Sequence, residues 1–233
     1  MKNKMVFLPI LLLALFFTSC ASSRGMKKDA FPAFYTENPP VSILVMPPMN
    51  RSDNVDAKDF FFYSLNQAIG DMGYYVYPSL LSMQTLQEES AYDSELFFES
   101  DITPFKNLYG ADLCLFTTIT KWKKSVIGQK ITIGIEYVIR STETGETVWN
   151  RKGEFTYKPS SGSGGSLIAL AVQTAVNMLD TALTDMFNVA KTCNFYVIPD
   201  GIPKGKYHPD FQKDGETAAG AESVKVQSTY VMH

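Results

Sequence analysis

Apolar and polar positions divide the chain into blocks of different period. Residues 41–46 (Val-Ser-Ile-Leu-Val-Met) form a short apolar run before Pro47-Pro48, the pattern of a buried strand ending at a turn. A polar loop follows. Phe61, Leu65, Ile69 and Met72 then recur at helical spacing, with Asp56 placed to cap the helix, Asp59 in its first turn and Gly73 as its stop. Residues 74–77 read as a second short strand closed by Pro78, and residues 79–87 as a second helix. Residues 88–100 read as an acidic irregular stretch, and residues 102–109 as a short helix ending at Gly110.

Beyond Gly110 the period changes to two. Leu113, Leu115, Thr117 and Ile119 alternate with Cys114, Phe116, Thr118 and Thr120. Ile131, Ile133, Ile135, Tyr137 and Ile139 alternate with more polar neighbours, and Trp149, Phe155 and Tyr157 share one side of a third strand. The short turn at Thr142-Glu143-Thr144-Gly145 implies antiparallel pairing, so residues 111–157 predict a three-stranded meander. After a Gly/Ser-rich connector, residues 166–190 read as a long helix, apolar all round in its first turns. Residues 193–198 read as a last strand and residues 199–233 as a poorly ordered tail. Together these predict an α+β two-layer sandwich: a mixed sheet containing an antiparallel three-stranded meander, with flanking helices that include one long C-terminal helix.

The N-terminus carries a different pattern. Lys2 and Lys4 precede an apolar stretch over residues 5–17, too short for a spanning helix and suited to a signal peptide. Phe17-Thr18-Ser19-Cys20 resembles a lipobox, with the small Ser19 before the cysteine. That resemblance implies cleavage before Cys20, acylation of Cys20 and anchoring in a lipid bilayer. Ala21, Ser22 and Ser23 follow in place of a retention aspartate, which implies the outer membrane, facing the periplasm. The expected organisation is a signal peptide over 1–19, a lipidated tether over 20–40, a periplasmic domain over 41–198 and the tail.

Composition narrows the chemistry. At 45% hydrophobic residues the chain can fill a core. A formal net charge of -3 gives no general basic excess for phosphates, which argues against nucleic acid. His208 and His233 are the only histidines, and both fall in the predicted tail, so no catalytic residue and no enzyme activity are expected. Asp53, Asp56 and Asp59 lack the glycine and terminal glutamate of a calcium loop, and Gly162-Ser163-Gly164-Gly165 lacks the lysine of a phosphate-binding loop, so neither metal nor cofactor is expected. Cys114 and Cys193 are the candidate disulfide pair in a compartment that permits one.

Leu108-Tyr109-Gly110-Ala111-Asp112, leading into a hydrophobic strand, resembles the TolB N-terminal domain class. That class includes curli-secretion lipoproteins and outer-membrane activators of peptidoglycan synthases. More narrowly, the run from Pro39-Pro40 through Pro47-Pro48, Asn50, Ser52, Val55-Asp56-Ala57 and Gly73-Tyr74-Tyr75-Val76, with Ile202-Pro203 and Tyr207-His208-Pro209, resembles the GNA-type family of bacterial lipoproteins of unknown function. The likeness covers most of residues 38–213. It implies a shared envelope complex; with the lack of catalytic groups and the apolar excess, the expectation is a non-enzymatic accessory in an envelope complex for secretion or assembly, bound to an envelope protein or to itself. A peptidoglycan-synthase regulator stands as one alternative, and a small-molecule or glycan-binding envelope enzyme as another. The candidate partner-binding residues are Phe60, Tyr63, Phe97 and Phe98, off the helical core stripe or in the acidic stretch, and Leu167 and Ile168 at the apolar start of the long helix.

Overall fold

The computed structural model describes residues 24–159 and 185–232. The predicted signal peptide, Cys20, Leu167 and Ile168 lie outside the described residues.

The strands are β1 (Ser42–Val45), β2 (Met49–Asn50), β3 (Tyr75–Val76), β4 (Leu113–Ser125), β5 (Lys130–Ser141), β6 (Thr147–Tyr157) and β7 (Ser223–Ser228). They form one mixed sheet in the order β3-β1-β4-β5-β6-β7, with β2 also paired to β4. β1 runs parallel to β3 and β4, the meander β4-β5-β6 is antiparallel, and β7 returns parallel to β6. The helices are α1 (Lys27–Ala30), α2 (Ala57–Gly70), α3 (Ser79–Glu88), α4 (Ser94–Phe98), α5 (Thr103–Tyr109) and α6 (Met186–Val197), with a 3-10 turn at Pro32–Phe34.

Alternation along the strands builds two cores. On one face, Ile131, Ile133, Ile135, Tyr137, Ile139 and Phe155 meet Phe61, Leu65 and Ile69 of α2 and Val189, Cys193 and Val197 of α6. Tyr137, Asn194 and Ser64 form a buried hydrogen-bonded chain from sheet to α6 to α2, so the polar atoms there are satisfied. Among the described residues, the other face is covered at the β1–β4 end, where Leu44, Met46, Cys114 and Phe116 pack against Leu86, Ile102 and Phe105 of the α3–α5 layer. The α+β architecture and its meander follow the predicted pattern.

The Gly110-Ala111-Asp112 turn has a clear local role. Gly110 takes φ +70 as the C-cap of α5, a conformation that spares glycine a Cβ clash. Asp112 then accepts hydrogen bonds from the Val41 and Ser42 amides at 3.0 and 3.1 Å, and from Lys106 Nζ at 2.6 Å, which fixes the start of β1 beside β4.

Three sequence expectations are corrected. Residues 193–197 form the end of α6 with Ile198 as its C-cap, not a strand: the apolar Val189, Cys193 and Val197 recur at helical spacing and line its buried side. The tether over 20–40 is structured where described, because Phe31 and Phe34 are buried in the first core and Lys27 is buried too. The tail over 199–233 is likewise ordered through residue 232. Ile202 and Ala219 are buried, β7 extends the sheet, and the Gly205 amide donates to the Met72 carbonyl at 2.8 Å. Gly73, at φ +86, permits that strap: a Cβ there would lie 2.4 Å from the His208 nitrogen. Arg151, buried under the sheet edge, donates to the Val197 and Ala221 carbonyls, both at 3.1 Å. Gly201 and Gly220 leave room for its guanidinium. Composition hid these contacts because they lie between segments far apart in sequence.

Candidate docking surface

Helix α3 carries its residues the wrong way round for a surface helix. Ser79 and Ser82 are buried, whereas Leu80 and Leu81 are 73% and 61% exposed. The serines are held inward by hydrogen bonds: Ser79 Oγ donates to Asn66 Oδ1 at 2.8 Å, and Ser82 Oγ to the Ser79 carbonyl at 3.2 Å. The Tyr109 hydroxyl donates to the Ser82 carbonyl at 2.9 Å, tying α3 to α5. Only Leu86 is a fully buried apolar residue of this helix. Burying a leucine side chain is worth about 1.5–3 kcal/mol, so two exposed leucines forgo a stabilisation the fold could have used.

More exposed apolar surface rings this helix. Tyr63 of α2, 48% exposed, adjoins Phe62, whose carbonyl accepts from Ser79. Tyr75 on the edge strand β3 packs edge-on to Tyr77 with centroids 5.1 Å apart, and Tyr77 packs on Tyr109 at 5.6 Å. Beyond α5 lies a cleft of about 500 Å³ lined by Ala91, Phe97, Pro104, Phe105 and Leu108.

The predicted contact residues separate here. Tyr63 is exposed, as a contact residue must be. Phe60 is half-buried with its ring 5.8 Å from Trp122. Phe97 and Phe98 belong to α4, not to an irregular stretch, and pack on Phe105 and Phe116. These three serve the cores first, because an aromatic ring next to an apolar layer gains more from burial than from water. Leu80 and Leu81 escape sequence reading: a leucine pair in an amphipathic segment normally marks the inward stripe, and nothing local signals the inversion.

The disulfide expectation is corrected as well. Cys114 and Cys193 are both free, and they sit in different cores on opposite faces of the sheet, so β4 and its neighbours separate them. Burial pushes both thiols well above their ordinary range, which makes them inert.

No group of three metal-ligating side chains occurs among the described residues. In the Asp53–Asp59 region the asparagines are consumed locally. Asn50 Oδ1 accepts from the Ser52 amide at 3.0 Å, and Asn54 Oδ1 from the Asp56 amide at 3.0 Å. His208 Nδ1 accepts from the Asp210 amide at 3.0 Å and so faces its own loop. Among the described residues no helix is long and apolar enough to cross a membrane.

Comparison with known proteins identifies the family. The family model described as "Putative lipoprotein GNA1162-like" matches residues 31–207. The "Putative lipoprotein NMB1124/NMB1162" of Neisseria meningitidis serogroup B is 24% identical over 178 residues, covering 73% of this chain and 82% of that protein. Among solved structures, lipoprotein GNA1162 from Neisseria meningitidis is 22% identical with a TM-score of 0.48, covering 60% of this chain and 98% of that one. The C-terminal domain of LpoB from Escherichia coli is 18% identical with a TM-score of 0.35, covering 49% of this chain and 81% of that one. The family resemblance read from the residue pattern is thus borne out, and the chain belongs to the GNA1162-like lipoprotein family.

Proposed function

We propose that this lipoprotein is an accessory of a cell-envelope complex, anchored through acylated Cys20 in the outer membrane, facing the periplasm, and binding a protein partner through α3 and its surroundings. The observation that carries the reading is the inverted helix: serines inward, Leu80 and Leu81 outward. Exposed apolar surface of this kind is stable in water only at a cost, and a partner that covers it recovers the lost burial. Tyr63 and Tyr75 add large contact area beside the leucines, the residue type favoured at interface centres.

The anchor and the surface are tested separately. Palmitate incorporation in growing cells is expected to disappear in Cys20→Ala. A photo-crosslinking residue at position 80 is expected to give a discrete adduct with one envelope protein, weakened at least about tenfold by Leu81→Asp, equivalent to about 1.4 kcal/mol. Adducts at a control position on the Glu143 turn but none at position 80 would sink the docking surface. Palmitate retained by Cys20→Ala would sink the anchor and leave the surface standing.

A further inference from the structure

Beyond the α3–α5 layer no described element covers that face of the sheet, and its charge is unusual. Cross-strand register places Lys121, Lys123 and Lys130 on that face together with Glu136, Lys152, Glu154 and Lys225. Lys121 pairs with Glu154 at 3.1 Å and Lys152 with Glu136 at 3.2 Å, which uses both carboxylates. Lys123, Lys130 and Lys225 are exposed and have no ion pair among the described residues. A chain of net charge -3 thus presents one face with a surplus of lysines. No acidic residue occurs between Lys121 and Ile135, so the β4–β5 hairpin end is wholly basic.

The hairpin apex adds an apolar element. Gly128 N donates to Ser125 Oγ at 2.9 Å and Gln129 N to the Val126 carbonyl at 3.0 Å, so the turn is closed. Turn apices favour polar residues, yet Val126 and Ile127 stand at this one, and Ile127 is 91% exposed. An aliphatic tip flanked by lysines has the chemistry of a segment that enters the headgroup region of an anionic bilayer.

Reach argues the same way. Arg24 is held at the sheet edge, where Nη1 donates to the Asn150 carbonyl at 2.8 Å. Four residues of extended chain span at most about 14 Å, which bounds how far from the Arg24 Cα an acylated Cys20 can anchor. Asn150 pairs with Val138, eight residues along β5 from Lys130, or about 26 Å. A tether that short brings anchor and hairpin tip to one bilayer only with the strands strongly tilted from its normal. The opposite face is covered by α2 and α6, and the bare face is the basic one.

We infer that the bare face of the sheet, with Lys123, Lys130 and Lys225 and the Val126-Ile127 tip, docks on the anionic lipid surface in which the protein is anchored. This rests on the acylation of Cys20 proposed above. Helix α3 lies on the same face, over the β1–β4 end of the sheet.

The experiment uses the full-length lipoprotein purified from membranes and reconstituted in phosphatidylethanolamine/phosphatidylglycerol vesicles, or in phosphatidylcholine alone. Ile127→Cys is labelled with an environment-sensitive dye. Cys114 and Cys193 are fully buried, so they do not compete for the dye. The parent protein without the new cysteine takes up no dye if the Cys20 thiol is acylated; uptake there marks failure of the anchor and says nothing about the face. The expected result is a blue-shifted emission in phosphatidylglycerol vesicles, quenched by brominated acyl chains and lost in Lys123→Glu/Lys130→Glu. Water-like emission in both vesicles overturns the inference. So does a shift that is equal in phosphatidylcholine and indifferent to the lysine reversals. A shift that appears only when envelope proteins are added overturns it in favour of an acidic protein partner.

Discussion

At the scale of single residues, Asp112 shows how a recognisable turn does structural work. Burial alone would raise its carboxyl, but hydrogen bonds from Lys106, from the Val41 and Ser42 amides and from Ser42 Oγ outweigh burial and hold it below the usual carboxylate range. A carboxyl depressed in the folded state stabilises the fold above its unfolded value, near about 3.9, and that contribution is lost as pH falls through the lower folded value. Urea unfolding of the wild type below about pH 4 is therefore expected to show a falling midpoint, and Asp112→Asn a flatter one from a lower neutral-pH start. An unchanged acid slope in the variant would remove Asp112 from the account. The turn that carries this aspartate was legible in the sequence, whereas its four donors were not, because three of them lie on residues 41 and 42.

At the scale of elements, the decisive contacts are close approaches. Gly153 of β6 sits under α6, and a Cβ there would lie 2.7 Å from Val197 Cγ1. Gly153→Ala is expected to cost about 1–3 kcal/mol in chemical denaturation, and Gly153→Ala/Val197→Ala to recover part of it by making room. If the single change proves neutral, the helix is not seated where β6 places it. The period-two pattern made the meander readable, since each strand carries its own alternation. The α6 segment was misread because its aromatics and β-branched residues at 195–198 favour strands locally. Packing of Val189, Cys193 and Val197 into the core overrides that preference.

At the scale of the whole molecule, the first described segment and the C-terminal segment close on each other. Lys27 Nζ lies 2.9 Å from Asp214 Oδ2 in a buried ion pair, and also donates to the Ile202 carbonyl at 3.1 Å. The Tyr35 hydroxyl and the Lys204 amide complete the shell around Asp214 at 3.0 and 3.1 Å. Breaking one partner of a buried pair leaves the other charge stranded and costs about 3–5 kcal/mol. Asp214→Ala is expected to lose that much in urea unfolding and to raise hydrogen exchange in residues 26–35 and 202–219 together, with Lys27→Met/Asp214→Leu less damaged than the single variant. Exchange rising in one segment alone would show that the ends are not coupled. By itself the sequence determined the α+β class, the meander, α2, α3 and α5, and the family resemblance, because periodicity, turn residues and motif spacing are local properties of the chain. The tertiary structure decided the rest. It ordered the first described segment and the tail by joining residues 187 positions apart, set the two thiols on opposite faces of the sheet, turned the leucines of α3 outward and gathered the lysines on one face. Those outcomes depend on which surfaces meet and compete for burial, a free energy shared between distant residues.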